Sequence, residues 1–132
     1  MYIRFVTPFR LRDGVDEGFF TEAYDRARDT CVDESLRAAI RHELDWFDEE
    51  LPAPARRAFR VRSRKRWLPV GICWFRDDAR EMIARSHGLA ALLGDCGVPI
   101  SRLTTRYPGQ ILYRDDWQIV AKPEAETPTA WR

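Results

Sequence analysis

Residues 59–67 read FRVRSRKRW, with Arg60, Arg62, Arg64 and Arg66 at every second position and Lys65 among them. In an extended chain, alternate residues share a face about 6.6 Å apart, so these arginines would form a ladder along one side. A nucleic-acid strand presents a phosphate about every 3.4 Å. The ladder would meet alternate phosphates, while Phe59 and Trp67 stack on bases. The same pattern suits an edge strand, which carries charge to prevent edge-to-edge pairing, and charge runs are most often solvated faces. The chemistry on offer is recognition of negative charge, on a polyanion or on an acidic protein surface.

Other constellations carry less. Cys73 and His87 form the one nucleophile–base pair worth naming. A catalytic cysteine needs a lowered pKa and exposure. Cys73 instead sits in LPVGICWF, the most apolar stretch, and reads as a small buried hydrophobe. His42, Asp45 and Glu49 share a helix face at i, i+3 and i+7 and have metal-ligating side chains. They lack the HExxH spacing and lie where a helix is polar anyway. The pairs Asp77/Asp78 and Asp115/Asp116 are explained by a helix start and a hairpin turn. The glycines are scattered and form no phosphate-cradling loop. No cofactor and no metal is expected.

The chain has 132 residues, enough for one domain with its own core. It contains no apolar run long enough for a membrane span, and its first residues alternate apolar and charged types, unlike a signal peptide. Cys31, Cys73 and Cys96 are widely spaced with no CxxC, as suits a reducing cytoplasm. The expectation is a soluble cytoplasmic bacterial protein. The net charge of +1 hides a segregated layout. Residues 33–51 carry a net of −5 and residues 52–67 a net of +7.

These groups have to be positioned by ordinary elements. YIRFV opens the chain as a strand. Phe19, Phe20, Ala23, Tyr24 and Ala27 share one face of a first helix, with Glu22, Asp25 and Asp29 opposite. Asp33 caps a second helix with the stripe Leu36, Ile40, Leu44, Phe47 and Leu51, which Pro52 and Pro54 end. Residues 71–77 read as a central strand. Asp78 caps a third helix, which Gly97 terminates. ISRLTTR, QILYR and WQIVAK are strands, the first two joined by a Pro108-Gly109 turn of type II. The fold class is α+β: a mostly antiparallel sheet of about five strands, three helices mainly on one face, and a C-terminal three-stranded meander. Residues 1–122 make the domain and 123–132 a polar, flexible tail.

CWFRDDARE followed by TTRYPGQILYRDDWQIVAKP resembles a group of small uncharacterised bacterial proteins. These pair a Trp-Phe-basic-Asp element with a Pro-Gly turn and a closing Gln-(Ile/Val)-Val-Ala-x-Pro strand. The resemblance covers the C-terminal half, implies a shared scaffold and transfers no activity.

The sequence points to a non-enzymatic macromolecule-binding domain, first of all a protein-interaction accessory, adaptor or immunity-type protein. Segregated charge favours steered, specific association. One contact surface is Arg60, Arg62, Arg64, Lys65, Arg66 and Trp67; the other is Asp45, Asp48 and Glu49. The alternative is a nucleic-acid-binding or regulatory module using the basic segment 56–67. The third is an unrecognised enzyme centred on Cys73 and His87. A homo-oligomer is compatible with each, and no membrane partner is expected.

Overall fold

The alternation at the N-terminus runs further than its five clearest residues and makes one long strand, β1 (Tyr2–Arg12). The computed structural model describes residues 1–12, 14–63 and 66–131. Within them the chain continues as β2 (Val15–Gly18), α1 (Phe19–Arg28), α2 (Glu34–Glu50), a 3-10 turn (Arg56–Phe59), β3 (Arg60–Ser63) and β4 (Arg66–Pro69). Then come β5 (Ile72–Arg76), α3 (Arg80–Asp95), β6 (Ser101–Thr105), β7 (Gln110–Arg114) and β8 (Gln118–Lys122). The fold is α+β with a wholly antiparallel main sheet, as the sequence leads one to expect.

The period-2 alternation sorts the sheet's side chains onto two faces. Ile3, Phe5 and Phe75 join the buried faces of all three helices: Phe19, Ala23 and Ala27; Ile40, Leu44 and Phe47; Met82, Leu89 and Leu93. Val6, Val15, Ile72, Trp74, Leu103, Ile119 and Ala121 form a second core on the other face. The Asp33 carboxylate caps α2 by accepting from the Ser35 and Leu36 amides. The Ser35 hydroxyl and the Leu36 amide, both donating to it, hold its pKa below the usual value. Gly97 (φ 86°) ends α3, with Val98 N donating to Leu93 O.

Four sequence expectations need correction. Asp78 does not cap α3; the N-cap is Ala79, with no side-chain bond, because Asp78 is drawn back to Arg76 (3.1 Å). Glu22, placed on the outer face of α1, is buried and paired with Arg26 (3.0 Å), which also binds Asp29 (2.7 Å). Tyr24, placed on the inner face, is 40 % exposed because its hydroxyl reaches out to Asp48. The C-terminal tail is docked rather than loose. Asp16 N donates to Thr129 O, Trp131 N donates to the buried Asp16 carboxylate, and the Thr127 hydroxyl donates to Tyr107 O. The Trp131 ring itself stays 59 % exposed.

The closing strands add one refinement. β7 and β8 pair directly, whereas β6 pairs with β1. At Tyr2, β1 is flanked by Arg76 and Thr105, and at Val6 by Gly18 and Ser101, so β5 and β2 follow one another along the same edge of β1. The spatial order is therefore β6-β1-β5-β8-β7. In a flat sheet the end of β6 and the start of β7 would stand about 25 Å apart, from spacings of ~4.8 Å between strands and ~3.3 Å along them. Residues 105–110 span at most roughly 18 Å, so the sheet coils, wrapping the second core.

Gly109 closes that crossing. Its φ is +99°, and a Cβ there would lie 1.9 Å from the Lys122 carbonyl oxygen. Gly109→Ala is expected to lower the unfolding free energy in urea by about 2–4 kcal/mol. Gly88→Ala, in the open middle of α3, is expected to raise it by about 0.5–1 kcal/mol.

Candidate binding site

Between α2 and β5 the chain leaves the helical layer and makes an arm. Pro52 and Pro54 lack backbone donors and cannot continue a helix. The connector turns through Arg56–Phe59, with Ala58 N donating to Ala55 O. Among the described residues β3 and β4 then pair only with each other, in register Arg60↔Pro69, Val61↔Leu68, Arg62↔Trp67 and Ser63↔Arg66. The base is clamped by Gly71 N donating to Phe59 O at 2.8 Å. Only glycine fits at this clamp, because a Cβ on Gly71 would lie 2.7 Å from both Phe59 Cα and Val120 Cγ1.

The arginine ladder along one extended strand is therefore corrected to a hairpin. Arg60 and Arg62 lie in β3 and are exposed, as is Arg57 before them. Arg66 and Trp67 belong to the returning strand, opposite Ser63 and Arg62. Arg64 and Lys65 lie outside the described residues. Asp45, Asp48 and Glu49 are exposed on α2, as expected from the helical pattern. Asp48 accepts the Tyr24 hydroxyl at 2.6 Å. Burial, and then this bond to a carboxylate, push the Tyr24 pKa up to about 12.

Beneath the connector lies a cavity of about 350 Å³ that sequence reasoning missed. Its aromatic wall includes Phe19, Phe20, Phe47, Phe59 and Phe75. Phe20 packs edge-on to Phe47 (5.0 Å between centroids) and Phe75 (6.4 Å). Phe19, Phe20, Phe47 and Phe75 read in the sequence as ordinary core and Phe59 as a flank of the arginine ladder, and no periodicity reveals that α1, α2 and the sheet stop short of filling the space. Asp48 of the acidic helix and Phe59 at the base of the basic arm both line the cavity.

The inner end of the cavity is polar: Gln118 and Cys73 are hydrogen-bonded to each other there, whereas the buried Nε1 of Trp74, also in the lining, has no hydrogen-bond partner among the described residues. Gln118, 2 % exposed, donates from Nε2 to Pro52 O (2.6 Å) and to Asp115 Oδ2 (3.1 Å). Its Oε1 accepts from Cys73 Sγ at 3.0 Å. Burial pushes the Cys73 thiol up to about 12, the opposite of what a nucleophile needs.

His87 lies edge-on to Phe5 (5.0 Å) and contacts Arg102 Nη1 (2.9 Å), while the Cys73 thiol donates to Gln118. Among the described residues, no three His, Cys, Asp or Glu side chains are grouped to hold a metal ion, His42, Asp45 and Glu49 included. Asp77 pairs with the N-terminus, and Asp115 organises its turn by accepting from Trp117 N and Gln118 N. No described helix is long and apolar enough to cross a membrane.

Comparison with protein-family models, curated proteins and solved structures finds no match.

The thiols give a direct check. At pH 8, Ellman's reagent is expected to label exposed Cys31 quickly and Cys73 only on unfolding. The raised Cys73 pKa favours the folded state fully below about pH 9, and that preference is lost as pH rises toward 12, because the unfolded thiol ionises first. The stability of the wild type relative to Cys73→Ala should therefore fall between pH 9 and 11, as read from urea midpoints.

Proposed function

We propose that this chain is a binding domain without catalytic chemistry of its own, and that its β3–β4 arm engages a partner protein in the manner of an accessory, adaptor or immunity-type protein. The observation that carries this reading is a two-stranded ribbon outside the main sheet, with exposed Arg57, Arg60 and Arg62 at its base and along its first strand. An isolated two-stranded hairpin is marginally stable in water, so a partner that covers the arm also orders it. Charge argues for a protein as that partner. Asp45 and Glu49 are exposed on α2, and Asp48 shares a cavity with Phe59. A nucleic acid would meet these carboxylates with repulsion, whereas a protein surface can match both signs.

A second reading has its own support: a two-stranded ribbon is one of the elements that the DNA major groove admits. Fluorescence anisotropy separates the two. The probes are a sixteen-residue peptide alternating Glu and Tyr, a single-stranded and a duplex oligonucleotide, each at 50 and 150 mM salt. The first reading predicts that the peptide binds more tightly than either oligonucleotide, and that Arg57, Arg60, Arg62→Glu together weaken it at least tenfold. Tighter oligonucleotide binding, with log K falling by about 0.7–0.9 per phosphate against log salt, would transfer the function to the second reading. No binding of any probe at 50 mM would remove the arm as a contact element.

A further inference from the structure

The cavity under the connector has a largely apolar lining of its own. Protein interiors are close-packed, with few voids larger than a water molecule. A space of about 350 Å³ with a largely apolar lining falls within the size range of small-molecule sites, roughly 300–1,000 Å³. It stands between the helical layer and the sheet, with exposed Ala53 on its lip. At about 30 Å³ per non-hydrogen atom, it holds about a dozen such atoms.

The lining specifies what those atoms are. Phe19, Phe20, Phe47, Phe59 and Phe75 supply ring faces and edges, and edge-to-face packing is how aromatic groups prefer to meet. Two polar side chains at the inner end are already paired: Cys73 with Gln118, and Gln118 with Pro52 O and Asp115. An inserted group therefore needs no polar atom to satisfy these two, and Arg4, the cation in the lining, is buried and already donates to Asp16 O. At the mouth the two sides differ. Asp48 is engaged by Tyr24. Arg57 and Arg60 lie outside the lining but are exposed within two residues of Phe59, which is in it.

We propose that this cavity binds a small amphiphilic acid, with an apolar body of about ten carbon atoms seated among the phenylalanines and one anionic group held at the mouth by Arg57 and Arg60. The site does not depend on the arm engaging a macromolecule. A ligand seated there would also brace Phe59, and through it the base of the arm.

Isothermal titration with 2-naphthoate, decanoate and the neutral 2-naphthalenemethanol tests this. One-to-one binding of at least one acid is expected, with Kd of about 10–100 µM for a ligand of this size. Which acid binds better distinguishes a flat ring system from an alkyl chain. Cys73→Phe fills the cavity from its inner end and Ala53→Trp from its lip, and each should weaken binding at least tenfold. Ala53 is exposed, so its variant keeps the fold and decides the matter if Cys73→Phe does not. Arg57→Gln with Arg60→Gln should abolish a roughly tenfold preference for 2-naphthoate over its alcohol. Absence of binding to either acid at millimolar concentration would overturn the proposal, as would acid binding indifferent to Ala53→Trp. Equal affinity of wild type for acid and alcohol would overturn the assignment of the anionic group. Ala53→Trp leaves the arm's arginines in place, so a failure of ligand binding and a failure of peptide binding by the arm are read separately.

Discussion

The side-chain amide of Gln118 is the interaction on which the functional half of the molecule depends. It is buried in β8, yet both of its ends are bonded: to Pro52 O at the end of α2, to Asp115 in the turn before β8, and to the thiol of Cys73 in β5. Asp115 in turn accepts the Tyr113 hydroxyl, and its carbonyl accepts from Arg76. One residue thus ties the connector to three strands. Each such bond contributes only about 1 kcal/mol net, but leaving a buried partner unsatisfied costs about 1–3 kcal/mol. The network is held because breaking it anywhere is worse than keeping it. Where Pro52 sits decides where Phe59 sits, and with it the mouth of the cavity and the direction of the arm.

The remainder of the fold supplies a rigid base for that arrangement. Helices cover one face of the sheet, and coiling closes the other around Trp74, Leu103 and Ile119. A second buried polar node, Asp16, fixes the tail to β2 and pairs with Arg10 at 3.1 Å. Beyond it β1 runs on with Phe9 and Leu11 about half exposed. The two nodes are far apart in sequence from the segments they hold: Gln118 binds a residue 66 positions away, and Asp16 one 115 positions away.

That separation explains what could be read in the sequence and what could not. The stripe of α2, its Asp33 cap, the Gly97 stop and the positive-φ turn at Gly109 are local signals, and local physics produces them. Asp78 has the right residue type at a helix start, but Arg76 competes for its carboxylate. The arm is hidden for a different reason. From Arg60 to Leu68 the sequence contains no glycine, asparagine or proline to interrupt an extended reading, and the alternation of charge runs straight through it. Tail docking and the cavity depend on contacts between distant segments, which composition and periodicity do not carry. The basic and acidic blocks are visible as charge; that Asp48 and Phe59 line one aromatic cavity is not.

The charge segregation, the hairpin arm and the cavity converge on one short segment, 52–71, seated by Gln118. Hydrogen exchange comparing wild type with Gln118→Leu measures this dependence directly. The substitution keeps roughly the side-chain volume and removes the amide. Amides within 52–71, including those of Ala58 and Gly71, should exchange at least tenfold faster, while α1 and α3 keep their protection. Unchanged protection in 52–71, or an even loss across the whole chain, would contradict the role assigned to Gln118.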